Sequence, residues 1–398
     1  MYSLKEVYKI GRGPSSSHSM GPEFATNDFL KRYPAAARYA VTLYGSLAMT
    51  GKGHLTDEAI LSVLGDRKAE IVFDSDKKDL PHPNTMTFTA FSETDKKIGE
   101  VTYLSIGGGN ITVLGETNSV GSVYPFRNFS EWKGYCHENN ISLSEAVFRY
   151  EPDIREYLVK VWRAMQAAVR RGVSADGLLP GVLHVMRKAK RLSVPVEGES
   201  NEEKEKRLIA AYAFAVAEEN AAGGTIVTAP TCGACGVLPA LLTYFKERDN
   251  FPDEKIIDAL AVAGMIGSVI KTNASVSGAE AGCQAEIGTA TSMAAAAAAT
   301  LFDSNPEEVE YAAEIALEHQ LGLTCDPVEG YVQIPCIERN AVASMRALDS
   351  ARVARLLCGT RRISFDLIVQ TMYETGKDIN ARYRETGEGG LAANYKIC

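Results

Sequence analysis

Near its start the chain reads GRGPSSSHSMGP, Gly11 to Pro22, a row of hydroxyls and one imidazole between two Gly-Pro pairs. Imidazole titrates near neutral pH and can carry a proton in catalysis, so His18 is the first candidate base. His82, in the tripeptide HPN, is the second. Ser15, Ser16, Ser17 and Ser19 could hold the polar ends of a small substrate or orient His18.

The familiar nucleophile and phosphate chemistries do not fit this stretch. A serine hydrolase elbow needs G-x-S-x-G, and GPSSSH lacks the closing glycine. Dinucleotide binding is weak, because GRGPSS has serine at the third glycine position. The phosphate-loop pattern is absent, and HENNI at His137 has no second histidine to make a zinc helix. Pyridoxal phosphate stays open, since its lysine has no universal local signature. Lys271 and Lys377 sit near polar loops, each as an anion anchor or as a solvated side chain.

Eight cysteines offer a different chemistry: Cys136, Cys232, Cys235, Cys283, Cys325, Cys336, Cys358 and Cys398. In a reducing compartment they are not a disulfide framework, which leaves metal binding, redox work or small buried hydrophobes. Compact iron-sulfur motifs cluster their cysteines, and only Cys232-Gly-Ala-Cys235 does so here. Scattered ligands need a fold that gathers remote loops.

The elements that must do the gathering fall into two groups. Strand-like runs at 37–49, 69–74, 84–93 and 97–106 alternate β-branched and aromatic residues. Helical stretches at 3–9, 20–32 and 57–64 complete a small α+β domain whose last long strand ends in Gly107-Gly108-Gly109. Beyond a linker-like ETNSVGSVYPF nearly every segment is helical. SLSE at Ser142 is a capping box, and NPEEVEYAAEIALEH opens with an Asn cap and a first-turn Pro. The run SMAAAAAAT (292–300) lets neighbouring helices approach closely. The fold class expected is an α+β N-terminal domain at 1–118, a linker at 119–140, and a larger, mostly all-α domain at 141–398.

The net charge of −8 and a pI near 5.5 argue against a nucleic-acid footprint or a membrane-surface role. The longest apolar run, 256–270, contains Asp258 and is too short to span a bilayer. A cytoplasmic protein acting on a small polar molecule is expected.

Seven motifs stand in one order along the chain: GPSSSHSMGP, HPN, SIGGG, TAPTCGACG, NASVSGAEAGCQAE, GLTCDPVEGYVQIPCIERNA and ETGKDINARYRET. Together they resemble the bacterial iron-sulfur L-serine dehydratases in the single-chain form that joins a β to an α domain. The resemblance spans essentially the whole chain. It implies a 4Fe-4S cluster held by Cys283, Cys325 and Cys336, with one iron left open as a Lewis acid for L-serine. It also implies that Cys398 reaches back as a removable fourth ligand, and that the protein is a homodimer. Asn273, Ser275, Ser277, Lys377, Asn380 and Arg384 are expected around the substrate or behind the cluster.

Two features depart from the family pattern. Cys232 stands where asparagine is expected, and the chain passes almost directly from GHLTDEAILSVLG to AEIVFD, without the longer insertion of many single-chain members. A regulatory serine site tied to the fuller β domain is therefore in doubt. Two alternatives remain: a related cluster-dependent lyase acting on cysteine or threonine, and a non-catalytic iron or redox sensor on the same scaffold.

Overall fold

The computed structural model describes residues 1–116, 121–357 and 359–396. Its small domain is a five-stranded sheet in the order β3-β2-β4-β5-β6, where β2 is Arg38–Tyr44, β3 Lys68–Asp74, β4 Thr85–Phe91, β5 Lys97–Ser105 and β6 Ile111–Val113. β2 and β3 run parallel, and the other neighbours are antiparallel. Alternation along β2 turns Tyr39, Val41 and Leu43 inward. The helix Gly21–Arg32 lays Ala25 and Phe29 on that face, and Ile60 and Leu64 of the helix Thr56–Leu64 join them.

The run expected as one strand at 37–49 instead breaks after Tyr44 and continues as a short helix, Ser46–Thr50. Gly45 sits at φ +54, a left-handed conformation that interrupts the ladder, and the Ser46 amide donates to the Pro83 carbonyl at 2.9 Å. That turn matters below, because both ends of this helix face His18.

The larger domain is helical. The helices Asp253–Asn273 and Thr289–Leu301 pack against each other at its centre, with Ala294 to Ala299 all buried. Small side chains permit that close approach, as the alanine run suggests. Asp253–Asn273 is long and apolar enough to cross a membrane by length and composition, yet most of it is packed inside this core. The expected capping box forms at Ser142/Glu145, and the expected Asn305 cap closes a second box with Glu308, each contributing about 1 kcal/mol of helix stability. A third closes at Ser200/Glu203.

The N-terminus belongs physically to the large body. Leu4, Val7 and Tyr8 lie in its core, and the Tyr8 hydroxyl donates to the Leu260 carbonyl at 2.8 Å. Strand β1, Ile10–Arg12, then pairs antiparallel with β7, Thr225–Val227. The segment expected as a linker carries the helix Phe129–Asn139, whose Phe129 and Trp132 are buried in the same core. The chain thus crosses from large body to small domain at Gly13–Met20. At Gly13 a side chain is excluded, since a Cβ there would stand 2.1 Å from Asn220 Oδ1.

Candidate active site

That crossing segment forms one wall of a cleft between the two domains. Ser15, Ser16 and Ser17 line it from the small-domain side, beside Gly107 and Gly108. Both glycines hold positive φ, at +95 and +59, which lets the backbone turn tightly there. Opposite stand Cys283, Cys325 and Cys336 with Ser277, Glu286 and Glu385. Three thiols separated by long stretches of sequence therefore share one cavity.

Local structure explains how each thiol arrives. Cys283 precedes the π-helical turn Gln284–Gly288, and Cys336 opens the helix Cys336–Leu356. Cys325 lies on a loop laced to the C-terminal segment: its amide donates to the Tyr383 carbonyl at 2.8 Å, and the Glu385 amide donates to the Cys325 carbonyl at 2.7 Å. All three are free thiols. A hydrogen bond shared by Cys283 and Cys325 pulls the Cys283 thiol down and pushes the Cys325 thiol up, with the Arg339 guanidinium favouring the Cys283 thiolate. Burial pushes Cys336 well up as well. Burial, then the neighbouring Glu286 and Cys283 charges, raises Glu385 to about 8.

Behind the Ser15–Ser17 wall, and not itself lining the cleft, His18 is fully buried in a turn, Ser16–Met20, capped by Ser15. Its ring stacks on His54, with centroids 4.4 Å apart. The hydrogen-bond network fixes both tautomers. The Thr50 hydroxyl spends its proton on the Ser46 carbonyl at 2.9 Å, so it accepts from His18 Nε2–H at 3.0 Å. Ser46 Oγ stands 3.0 Å from the same nitrogen. His18 Nδ1 is then a bare lone pair facing Ser15 Oγ at 3.3 Å. His54 Nδ1–H donates to the Thr50 carbonyl at 3.1 Å, which leaves Nε2 as its lone pair. That nitrogen is buried and has no hydrogen-bond partner among the described residues.

Burial holds both rings neutral. It depresses His18 well below the ordinary imidazole value, helped by the His54 charge, and depresses His54 to about 4. One donor atom each of His18, His54 and Glu385 lie within 4.8 Å of one another. His54 and its partner Thr50 stood outside every motif in the sequence, whereas Glu286 and Glu385 lie inside NASVSGAEAGCQAE and ETGKDINARYRET but were not among the expected site residues. GKGH carries no catalytic spacing, and only the fold stacks it on SSSH.

The other expected residues divide. Ser277 lines the cleft, and its amide donates at 3.0 Å to Ser275 Oγ, which in turn donates to Glu280. Arg384 donates to the Glu280 carbonyl at 3.0 Å. His82 is half-buried, and its Nδ1 accepts from the Asn84 amide at 3.0 Å. Burial lowers it, against the nearby Glu280 charge. Ser19 is turned away from the cleft, because its hydroxyl donates to the His54 carbonyl at 2.8 Å. Asn273 donates to the carbonyls of Arg127 and Val269 at 2.7 and 2.9 Å. Lys377 lies over the Tyr373 ring, and Asn380 caps a short turn by accepting from the Arg382 amide. None of these three lines the cleft. Lys271 donates to the Glu6 carbonyl at 2.7 Å, and burial lowers it to about 8. Cys398 lies outside the described residues.

Comparison with known proteins matches residues 3–70 to the serine dehydratase beta chain and 68–392 to the serine dehydratase alpha chain. The chain belongs to the serine dehydratase family.

Its relatives are similar end to end. L-serine dehydratase 1 of Escherichia coli is 42% identical, covering 98% of this chain and 99% of that protein. The L-serine dehydratases of Haemophilus influenzae and Streptomyces coelicolor are each 40% identical over 100% of this chain. The Escherichia coli alignment runs over 452 positions, more than the 398 residues here, so that serine dehydratase carries residues this one lacks. The alpha-chain match begins at 68, so the sheet of this serine dehydratase straddles both family descriptions.

The donor set in the cleft suits an iron-sulfur cluster. Three thiols, Glu286 and Glu385 converge on one cavity and push one another's charge away, with Arg339 as the cation beside them. A cationic centre among them relieves that repulsion, and three thiolates leave one iron open.

Proposed function

We propose that this chain dehydrates L-serine to pyruvate and ammonia, as a cytoplasmic homodimer, with a 4Fe-4S cluster held by Cys283, Cys325 and Cys336. The observation that carries the reading is one cleft lined on one side by those thiols and on the other by the Ser15–Ser17 loop. When bound, the cluster supplies a Lewis acid for the substrate's carboxylate and hydroxyl.

The protein's own residues supply the rest. Ser15, Ser16, Ser17 and Ser277 offer hydroxyls and amides to the ammonium and carboxylate of serine. The α-proton is very weakly acidic and needs a base whose lone pair is free. His18 was the first choice from sequence, but both its ring nitrogens face hydroxyls. His54 Nε2 is bare and unpartnered, and Thr50 pins its other nitrogen, so His54 is the better-placed acceptor. His18 then acts on Ser15, accepting from its hydroxyl and orienting it. Loss of the α-proton and the β-hydroxyl yields aminoacrylate, which tautomerises and hydrolyses to pyruvate and ammonia.

His82, half-buried near Glu280, is the alternative acceptor, and Cys398 is proposed as the removable fourth ligand. Removing Cys398 then alters serine affinity and the oxygen sensitivity of the cluster. Anaerobic reconstitution followed by assays for pyruvate, 2-oxobutyrate and sulfide from serine, threonine and cysteine tests the substrate. Pyruvate from serine at the highest kcat/KM is expected. Preference for another substrate makes the chain a different lyase, and no turnover with any of them makes it a sensor.

A further inference from the structure

We propose that His18, His54 and Glu385 form a second metal site, beside the three thiols whose cleft Glu385 also lines, that takes a borderline divalent ion such as Zn²⁺. One donor atom of each lies within 4.8 Å of the other two. Tetrahedral ligands about 2.0–2.1 Å from zinc stand roughly 3.3 Å apart, so the stacked rings, 30° between their planes, turn toward each other to close the set.

The hydrogen bonds behind the rings are those that metal-ligating histidines carry. Such a histidine donates its other N–H to a protein oxygen, which fixes the tautomer and aims the lone pair. His54 gives Nδ1–H to the Thr50 carbonyl at 3.1 Å, and His18 gives Nε2–H to the Thr50 hydroxyl at 3.0 Å. A single residue thus aims both rings. What remains is the buried, unpartnered Nε2 of His54 and the Nδ1 of His18, whose one contact is with Ser15 Oγ at 3.3 Å. Two neutral imidazoles and one carboxylate, of which Glu385 lines the cleft, make a three-ligand set that suits zinc.

An ion bound there occupies the lone pair that the proposed reaction assigns to the α-proton. Zinc then inhibits serine turnover without displacing iron. Inhibition rests on the reading of His54 as base, whereas binding does not.

The test uses the reconstituted full-length holoenzyme, titrated with Zn²⁺ under anaerobic conditions. Zinc-edge X-ray absorption is expected to show a nitrogen and oxygen shell at about 2.0–2.1 Å, without a sulfur shell at about 2.3 Å. Iron content stays constant, and turnover falls with bound zinc and returns with a chelator. Glu385→Gln and His54→Gln each weaken zinc binding by about tenfold or more. A sulfur shell, or unweakened binding in both variants, overturns the site. Nitrogen and oxygen ligation with undiminished turnover upholds the site and overturns His54 as the base.

Discussion

The two walls of the cleft are held in opposite ways. The imidazole wall is finished by its own hydrogen bonds: Thr50 and Ser46 fix the rings, and the Ser15 hydroxyl faces the ring it caps. The thiol wall is unfinished: burial raises Cys336, Glu286 and Glu385, the hydrogen bond between Cys283 and Cys325 pushes Cys325 up and pulls Cys283 down, and one guanidinium stands beside these crowded donors. A preorganised wall suits proton transfer, where geometry must be ready before substrate arrives. A wall of mutually repelling donors suits a cationic cofactor. The difference separates what each wall does, and each can be broken without the other.

The largest effect belongs to the thiols. Replacing Cys283, Cys325 or Cys336 by alanine is expected to remove iron and to lower turnover by at least about a thousandfold. Iron quantification and pyruvate release after anaerobic reconstitution check this, and iron retained in all three variants erases the distinction between the walls. Next is His54→Asn, expected to lower kcat by about 10²–10⁴-fold, the usual worth of a general base, with KM changed by less than about threefold.

The third prediction concerns pH. The folded value of about 4 for His54 lies below the free imidazole value of 6.5. Its neutral burial therefore stabilises the fold fully above pH 6.5, and that contribution is lost as pH falls toward 4. The difference corresponds to about 3 kcal/mol. Thermal melts between pH 7 and pH 4 are expected to show a steeper loss of Tm in the native chain than in His54→Asn. The smallest effect is Thr50→Val, which removes the hydroxyl under His18 but keeps the carbonyl under His54. One lost hydrogen bond of about 1–1.5 kcal/mol predicts roughly a tenfold fall in kcat, with iron unchanged.

The same contrast marks what could be read from sequence. The capping boxes, the alternating strands and the buried alanine helix follow local rules, and they form where those rules place them. The break at Gly45 did not show, because β-branched and aromatic residues continue past it while the glycine's positive φ ends the strand. Cys283, Cys325 and Cys336 became legible through long motifs in register, not through their spacing, and the fold brings them to one cavity. His54, outside every motif, and Glu385, inside ETGKDINARYRET but not singled out, were missed. Their partners lie on other elements, and nothing local distinguishes them from a core histidine or a solvated acid. Asn273, Lys377 and Asn380 belong to polar motifs that looked functional, yet Asn273 and Lys377 lie in the last turns of helices and Asn380 caps a short turn.

The central claim is that one wall holds the cofactor and the other moves the proton. Iron content and L-serine turnover, measured side by side on reconstituted Cys325→Ala and His54→Asn, test it most directly. Cys325→Ala is expected to lose both, while His54→Asn keeps its iron and loses turnover. Full turnover in His54→Asn, or iron lost equally from both variants, would contradict it.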